Sequence, residues 1–155
     1  MRIRRLISLL VLPLALAACD DSTAPAPPPE IVGSWTRASE PATANVADHL
    51  GFGADGRYVH DVMIYQDAGH GTLSSSYREE GSYRLNGERL ELRVTRTTEW
   101  DALIGGVPVV TNGPGTWADA GIVRISGNTL DHTYVTYPAE APVETTARYF
   151  KALLD

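Results

Sequence analysis

The residues of this 155-residue chain that could do chemistry are few, and most fall on alternating positions. In "GFGADGRYVHDVMIY", counting by two from Phe52 places Tyr58, His60, Val62 and Ile64 on one face of an extended segment. In "RISGNTLDHTYVTY", Leu130, His132 and Tyr134 share a face in the same way. Leu90, Leu92 and Val94 offer an apolar wall, with Tyr83 nearby. Brought together, these side chains would bound a mixed pocket, mostly apolar with a few polar groups, as small-ligand sites are. They would serve equally as a filled core, with the histidines hydrogen-bonded to neighbouring tyrosines.

Other chemistries fit less well. The four histidines, His49, His60, His70 and His132, have no metal-ligand spacing, and the lone cysteine, Cys19, lies far from them. We therefore expect no metal and no cofactor. "GFGADG" matches G-x-G-x-x-G at Gly51, Gly53 and Gly56, but a phosphate site needs a helix to open there, and a strand-like run follows instead. Glu79 and Glu80 are adjacent, so on a strand they face opposite ways and cannot share a substrate. No nucleophile elbow or zinc-helix motif is present. The expectation is a protein that is not an enzyme.

The elements that would position these residues are strands. No stretch after Glu30 keeps a helical period, and turn signals recur between runs rich in Val, Thr, Tyr and Ile. Asn86-Gly87 is a strong hairpin signal, and the alternation Leu90, Leu92, Val94 against Arg89, Glu91, Arg93 follows it. Asp55-Gly56 and Gly127-Asn128 offer two more turns. Strands are predicted near 31–38, 48–53, 57–65, 74–85, 88–99, 117–126, 129–137 and 143–153. If each pairs with the next, the tight turns gather at one end and the longer loops, near 39–47, 66–73, 100–116 and 138–142, at the other. That is a cup with a closed base and a looped mouth. Joining the first strand to the eighth removes both edges and gives an all-β, eight-stranded antiparallel up-and-down barrel. Such a barrel is filled by side chains or holds one small ligand. The segment "WDALIGGVPVVTNGPGTW" belongs to the mouth. Its Leu103, Ile104, Val107, Val109 and Val110 could make a lid, a docking patch for a protein, or a plug.

Gly33-Ser34-Trp35 resembles the Gly-x-Trp that opens the first strand of lipocalins and bacterial lipocalin-like domains. "LGFGADGRY", then Gly81-Ser82-Tyr83, Asn86-Gly87 and Leu90, continue the resemblance, which spans Gly33 to about Phe150. It implies that Trp35 plugs the barrel base and that an arginine of the last strand, here Arg148, packs across it. A plain core aromatic is the other reading of Trp35, and in neither is it catalytic. Fatty-acid-binding relatives hold a carboxylate with Arg-x-Tyr on the last strand. This chain has Arg148-Tyr149-Phe150, so that ligand is not carried over.

The beginning of the chain supplies an address. Arg2, Arg4 and Arg5 precede an apolar run, Leu6–Ala18, too short to cross a bilayer. Leu16-Ala17-Ala18-Cys19 resembles the bacterial lipoprotein box, which implies cleavage before Cys19 and acyl chains such as palmitate on a diacylglycerol carried by its sulfur. More than one chain is needed for a stable anchor. Asp20 and Asp21 either signal retention in the inner membrane or begin a linker, so the membrane stays open. Pro25 and Pro27–Pro29 make an extended tether. The domain plan is thus a signal peptide over 1–18, an acylated tether over 19–29 and a barrel over 30–155. The formal charge of −6 becomes −9 once the three leader arginines are removed, which argues against a nucleic-acid partner. The leading expectation is a lipid-anchored, periplasm-facing protein that binds or carries a small, partly apolar molecule. The alternative is a non-enzymatic interaction or structural module of the envelope that grips a protein through loop 100–116.

Overall fold

The computed structural model describes residues 26–37, 45–137 and 141–152. The expected signal peptide, Cys19 and the tether up to Pro25 lie outside the described residues. Nine strands and no helix occur among those described: β1 Gly33–Arg37, β2 Val46–Phe52, β3 Arg57–Tyr65, β4 Leu73–Asn86, β5 Arg89–Asp101, β6 Val109–Asn112, β7 Trp117–Ser126, β8 Thr129–Thr136 and β9 Val143–Lys151. Eight of them pair antiparallel in the order β1-β2-β3-β4-β5-β7-β8-β9, and β9 returns to β1 through Trp35↔Lys151 and Arg37↔Tyr149. The result is a closed up-and-down barrel. Its three tight turns, after β2, β4 and β7, sit at the base, where β1 begins and β9 ends.

Turn chemistry fixes the register, with one correction. The two-residue loop after β4 is Gly87-Glu88, not Asn86-Gly87, because Asn86 still pairs with Arg89. Gly87 takes φ +63° and Glu88 does not go positive, so the glycine stands first in the turn, as in the type II′ hairpin.

A ninth strand arises within the segment expected to be a mouth loop. Trp100 and Asp101 extend β5, and β6 pairs with β5 at Arg96–Glu99, in line with the pairing of β7 lower down. The β-branched run Val109–Thr111, just after Pro108, carries the strand signal. The segment does not plug the barrel. Leu103 is 89% exposed and Ile104 80%.

The base is packed and apolar. Ile31, Trp35, Phe52, Tyr83 and Leu130 are buried there. Phe52 meets Tyr83 edge-on at 4.8 Å, and the Tyr83 hydroxyl donates to the Gly53 carbonyl at 2.9 Å. The Trp35 indole N–H donates to the Ile31 carbonyl at 2.8 Å, which folds the incoming chain under the barrel as a stopper. Burial of each such side chain stabilises the fold by about 1.5–3 kcal/mol.

One seam of the wall is open. The β7–β8 ladder runs from Ser126↔Thr129 up to Ile122↔Thr133 and stops. Above it, β7 pairs only with β5, and β8 only with β9. Gly121 marks the parting point. Its φ of +105° turns the strand, and a Cβ there would stand 2.1 Å from the Thr133 carbonyl oxygen, so no other residue fits.

Candidate functional site

Above the packed base the barrel holds a cavity of about 650 Å³. Apolar walls come from Leu50, Phe52, Leu90, Leu92 and Ala120, and polar groups from Asp48, His60, His132, Tyr134 and Tyr149. It reaches the surface along the β7–β8 seam, where Asp119, Val135, Tyr137 and Glu144 line it.

Asp48 organises the polar part. Strand alternation carries it inward with Leu50 and Phe52, and it is only 7% exposed. A buried carboxylate is tolerated when it is hydrogen-bonded and charge-compensated. Here His60 Nε2 lies 3.0 Å from Oδ1, the Tyr149 hydroxyl donates at 3.2–3.3 Å, and the Arg37 guanidinium approaches to 3.4 Å. Burial pushes the Asp48 carboxyl up. The hydrogen bonds from His60 and Tyr149, with the charges of His60 and Arg37, outweigh that and hold it below the usual carboxylate value. Burial and the Asp48 charge push the Tyr149 phenol up, so it stays a donor.

His132 stands beside this cluster. Its Nε2 lies 2.7 Å from the Ala120 carbonyl oxygen, which bridges the two strands where their ladder stops, and its ring packs against Tyr134 at 4.9 Å. Burial pushes its pKa down, so the neutral ring is favoured. On the opposite wall Glu79 accepts hydrogen bonds from the hydroxyls of Tyr58 and Tyr77, and burial together with that carboxylate raises both phenols. Glu80, on the outer face, pairs with Arg78 and Arg96.

Of the residues expected to line one pocket, Tyr58, His60, Leu90, Leu92, His132 and Tyr134 meet in this cavity. The others correct that expectation. Val62 and Ile64 point to the same side of β3 but line a second, smaller recess of about 280 Å³ with Tyr77, Trp100, Ile104 and Val107, because β3 carries them up beside the β5–β6 extension. Tyr83 belongs to the packed base, and Val94 packs against the core. Gly33 begins β1 at φ +136°, beside Lys151. Arg148 is on the wrong face. It pairs with Asp131 on the outer surface, with its side chain 61% exposed. The cation over Trp35 is Lys151, at 5.2 Å from the ring centre. Asp48, Glu79 and Tyr149 were not singled out as site residues from the sequence. Two-residue alternation back from Phe52 through Leu50 reaches Asp48 and would have found it.

His49 bonds the Thr36 hydroxyl at 3.1 Å, and His70 stacks on Tyr65, so neither joins the cavity. Among the described residues, no three His, Cys, Asp or Glu side chains group to hold a metal. "GFGADG" closes a turn into β3, with Gly56 N–H donating to the Gly53 carbonyl at 3.1 Å.

A closed eight-stranded antiparallel barrel with a packed base and an interior cavity defines the class of protein, and it is consistent with a lipocalin-like fold. No family model, no curated protein and no solved structure matches the chain.

Proposed function

We propose that this protein is an envelope lipoprotein whose barrel binds or carries a small, partly apolar molecule. The observation that carries the reading is the cavity of about 650 Å³, a size suited to one drug-sized ligand, with apolar walls and a compact polar cluster. A non-catalytic role fits the cluster: Asp48 is engaged by three side chains, Glu79 by two tyrosines, and His132 Nε2 by a backbone carbonyl.

Native mass spectrometry of protein purified from its own envelope tests the binding. The expected result is a bound mass that leaves on denaturation, and that disappears in Ala120→Phe, whose ring would occupy the seam and cavity. A native protein that stays empty after exposure to envelope extract would refute the reading. Anchoring through lipid on Cys19 is tested separately. Cys19→Ala should move the protein from the membrane fraction to the soluble one, and retention in the membrane would reject the anchor.

A second reading, an interaction module, is favoured by one observation. Leu103, Ile104, Val107, Val109 and Val110 are all more than half exposed on the β5–β6 hairpin. Exposed aliphatic groups clustered in this way mark association surfaces. Deleting 102–108 should leave ligand binding unchanged if the first reading holds alone.

A further inference from the structure

The cavity's polar groups have a one-sided hydrogen-bonding capacity. Four N–H or O–H donors of the cluster, those of Tyr149, His60, His132 and Arg37, are each already engaged. Tyr149 donates to Asp48. His60 places Nε2 against Asp48 Oδ1, an acceptor only, so Nε2 carries a proton. His132 places Nε2 against the Ala120 carbonyl, again an acceptor only, with the same consequence. What remains on the neutral His132 ring, which burial favours, is the Nδ1 lone pair, which has no partner among the described residues. The two Asp48 oxygens each receive two contacts, from His60 and Tyr149 on Oδ1 and from Tyr149 and Arg37 on Oδ2, so what Asp48 offers a ligand is its negative charge. The Tyr134 hydroxyl has no hydrogen-bond partner among the described residues and can turn either way.

Charge points the same way. The arginines nearest the cavity are already paired, Arg37 with Asp48 and Arg89 with Asp119. Glu144 adds a carboxylate at the rim. A ligand carboxylate in this site would meet the Asp48 charge, and the arginines that could offset it are already paired. A group that brings its own hydrogens would meet the Asp48 charge and the His132 lone pair.

From this imbalance we infer that the ligand's polar end is a hydrogen-bond donor, an amine or a hydroxyl on an apolar body, held at Asp48 and His132, and that carboxylate-headed lipids are rejected. The inference rests on the proposal that the cavity binds a small molecule, and goes beyond it by naming the head group.

Three probes that share one body separate the two claims. Decylamine, 1-decanol and decanoate are titrated at about pH 8, where the alkylamine is charged. The protein is the full chain carrying Cys19→Ala, which keeps detergent out of the competition. Decylamine and 1-decanol should bind at least about ten-fold tighter than decanoate. Asp48→Asn, which keeps the shape and removes the charge, should bring the amine to within about three-fold of the alcohol. Decanoate binding as tightly as the amine overturns the head-group inference and leaves the small-molecule reading standing. Failure of all three at about 1 mM overturns both. Should Asp48→Asn not fold, the ranking of the three probes on the unaltered cavity decides the matter.

Discussion

The two ends of the barrel interior are built by opposite rules. At the base, Ile31, Trp35, Phe52 and Leu130 fill space, and the few polar atoms present are tied to backbone carbonyls. A few residues up the same strands, the interior is left open and carries a buried carboxylate, two imidazoles and several phenols. The first arrangement maximises stability per residue. The second gives up packing, and burying a charge costs more than burying a methyl group. The base therefore carries the fold, and the upper interior is free to be shaped for a ligand. That division makes separable predictions, because a change at the base should act on stability and a change above it on binding.

The largest effect is expected from Trp35→Ala. It removes a fully buried side chain and the hydrogen bond that docks Ile31, and should cost about 3–5 kcal/mol. Denaturant unfolding measures it. If the cost fell below about 1 kcal/mol, the base would not be the stabilising end and the contrast would fail.

The upper interior should respond more to pH than the base does. Asp48→Ala leaves His60, Tyr149 and Arg37 without their acceptor and should cost about 2 kcal/mol near neutrality. The sign with pH follows from the lowered Asp48 pKa. On acidification the unfolded carboxyl takes up its proton first, so the native advantage is complete above about pH 4 and fades as pH falls through the folded value. The stability gap between native protein and Asp48→Ala should thus be wide at neutrality and close in acid. A gap constant from neutrality down into strong acid would mean that the charge of Asp48 contributes nothing. His132 acts in the same direction at higher pH. Its depressed pKa makes stability rise as pH increases from its folded value to about 6.5.

Most of the wall could be read from the sequence, because two-residue alternation and glycine turns are local signals. Strand ends fall close to expectation, and the sorting of short turns to one end follows from strand order alone. The interior was less legible. Tyr58, His60, His132 and Tyr134 follow from alternation, but their convergence on Asp48, and the loss of Val62 and Ile64 to another recess, depend on how tilted strands meet across the barrel. The open seam was invisible, because it arises where a pairing ladder stops, and Gly121 gives no hint of which neighbour it will leave. β6 was missed for another reason. Gly105, Gly106, Gly113 and Gly115 frame a four-residue strand closely enough to make the whole segment look like loop.

Arg148 and Lys151 sharpen the contrast at its smallest scale, and show how a register error propagates. The two lie three residues apart on β9, an odd spacing that puts them on opposite faces of the strand. The lipocalin resemblance implies an arginine of the last strand over the base tryptophan, here Arg148. The chain's only lysine, paired in register with Trp35, stands there instead. Lys151→Ala should therefore destabilise by about 0.5–1 kcal/mol through loss of the cation–π contact and of the stem that covers the indole. Arg148→Ala removes only a solvent-exposed pair with Asp131 and should leave the unfolding midpoint where it is. Tryptophan fluorescence in the same titrations gives a second reading, since only the lysine variant alters the surroundings of Trp35. A reversed order, with Arg148→Ala the more damaging, would place the arginine inside and rotate the whole of β9 by one residue. Tyr149 would then leave Asp48, and the polar cluster above the base would lose the donor that closes it.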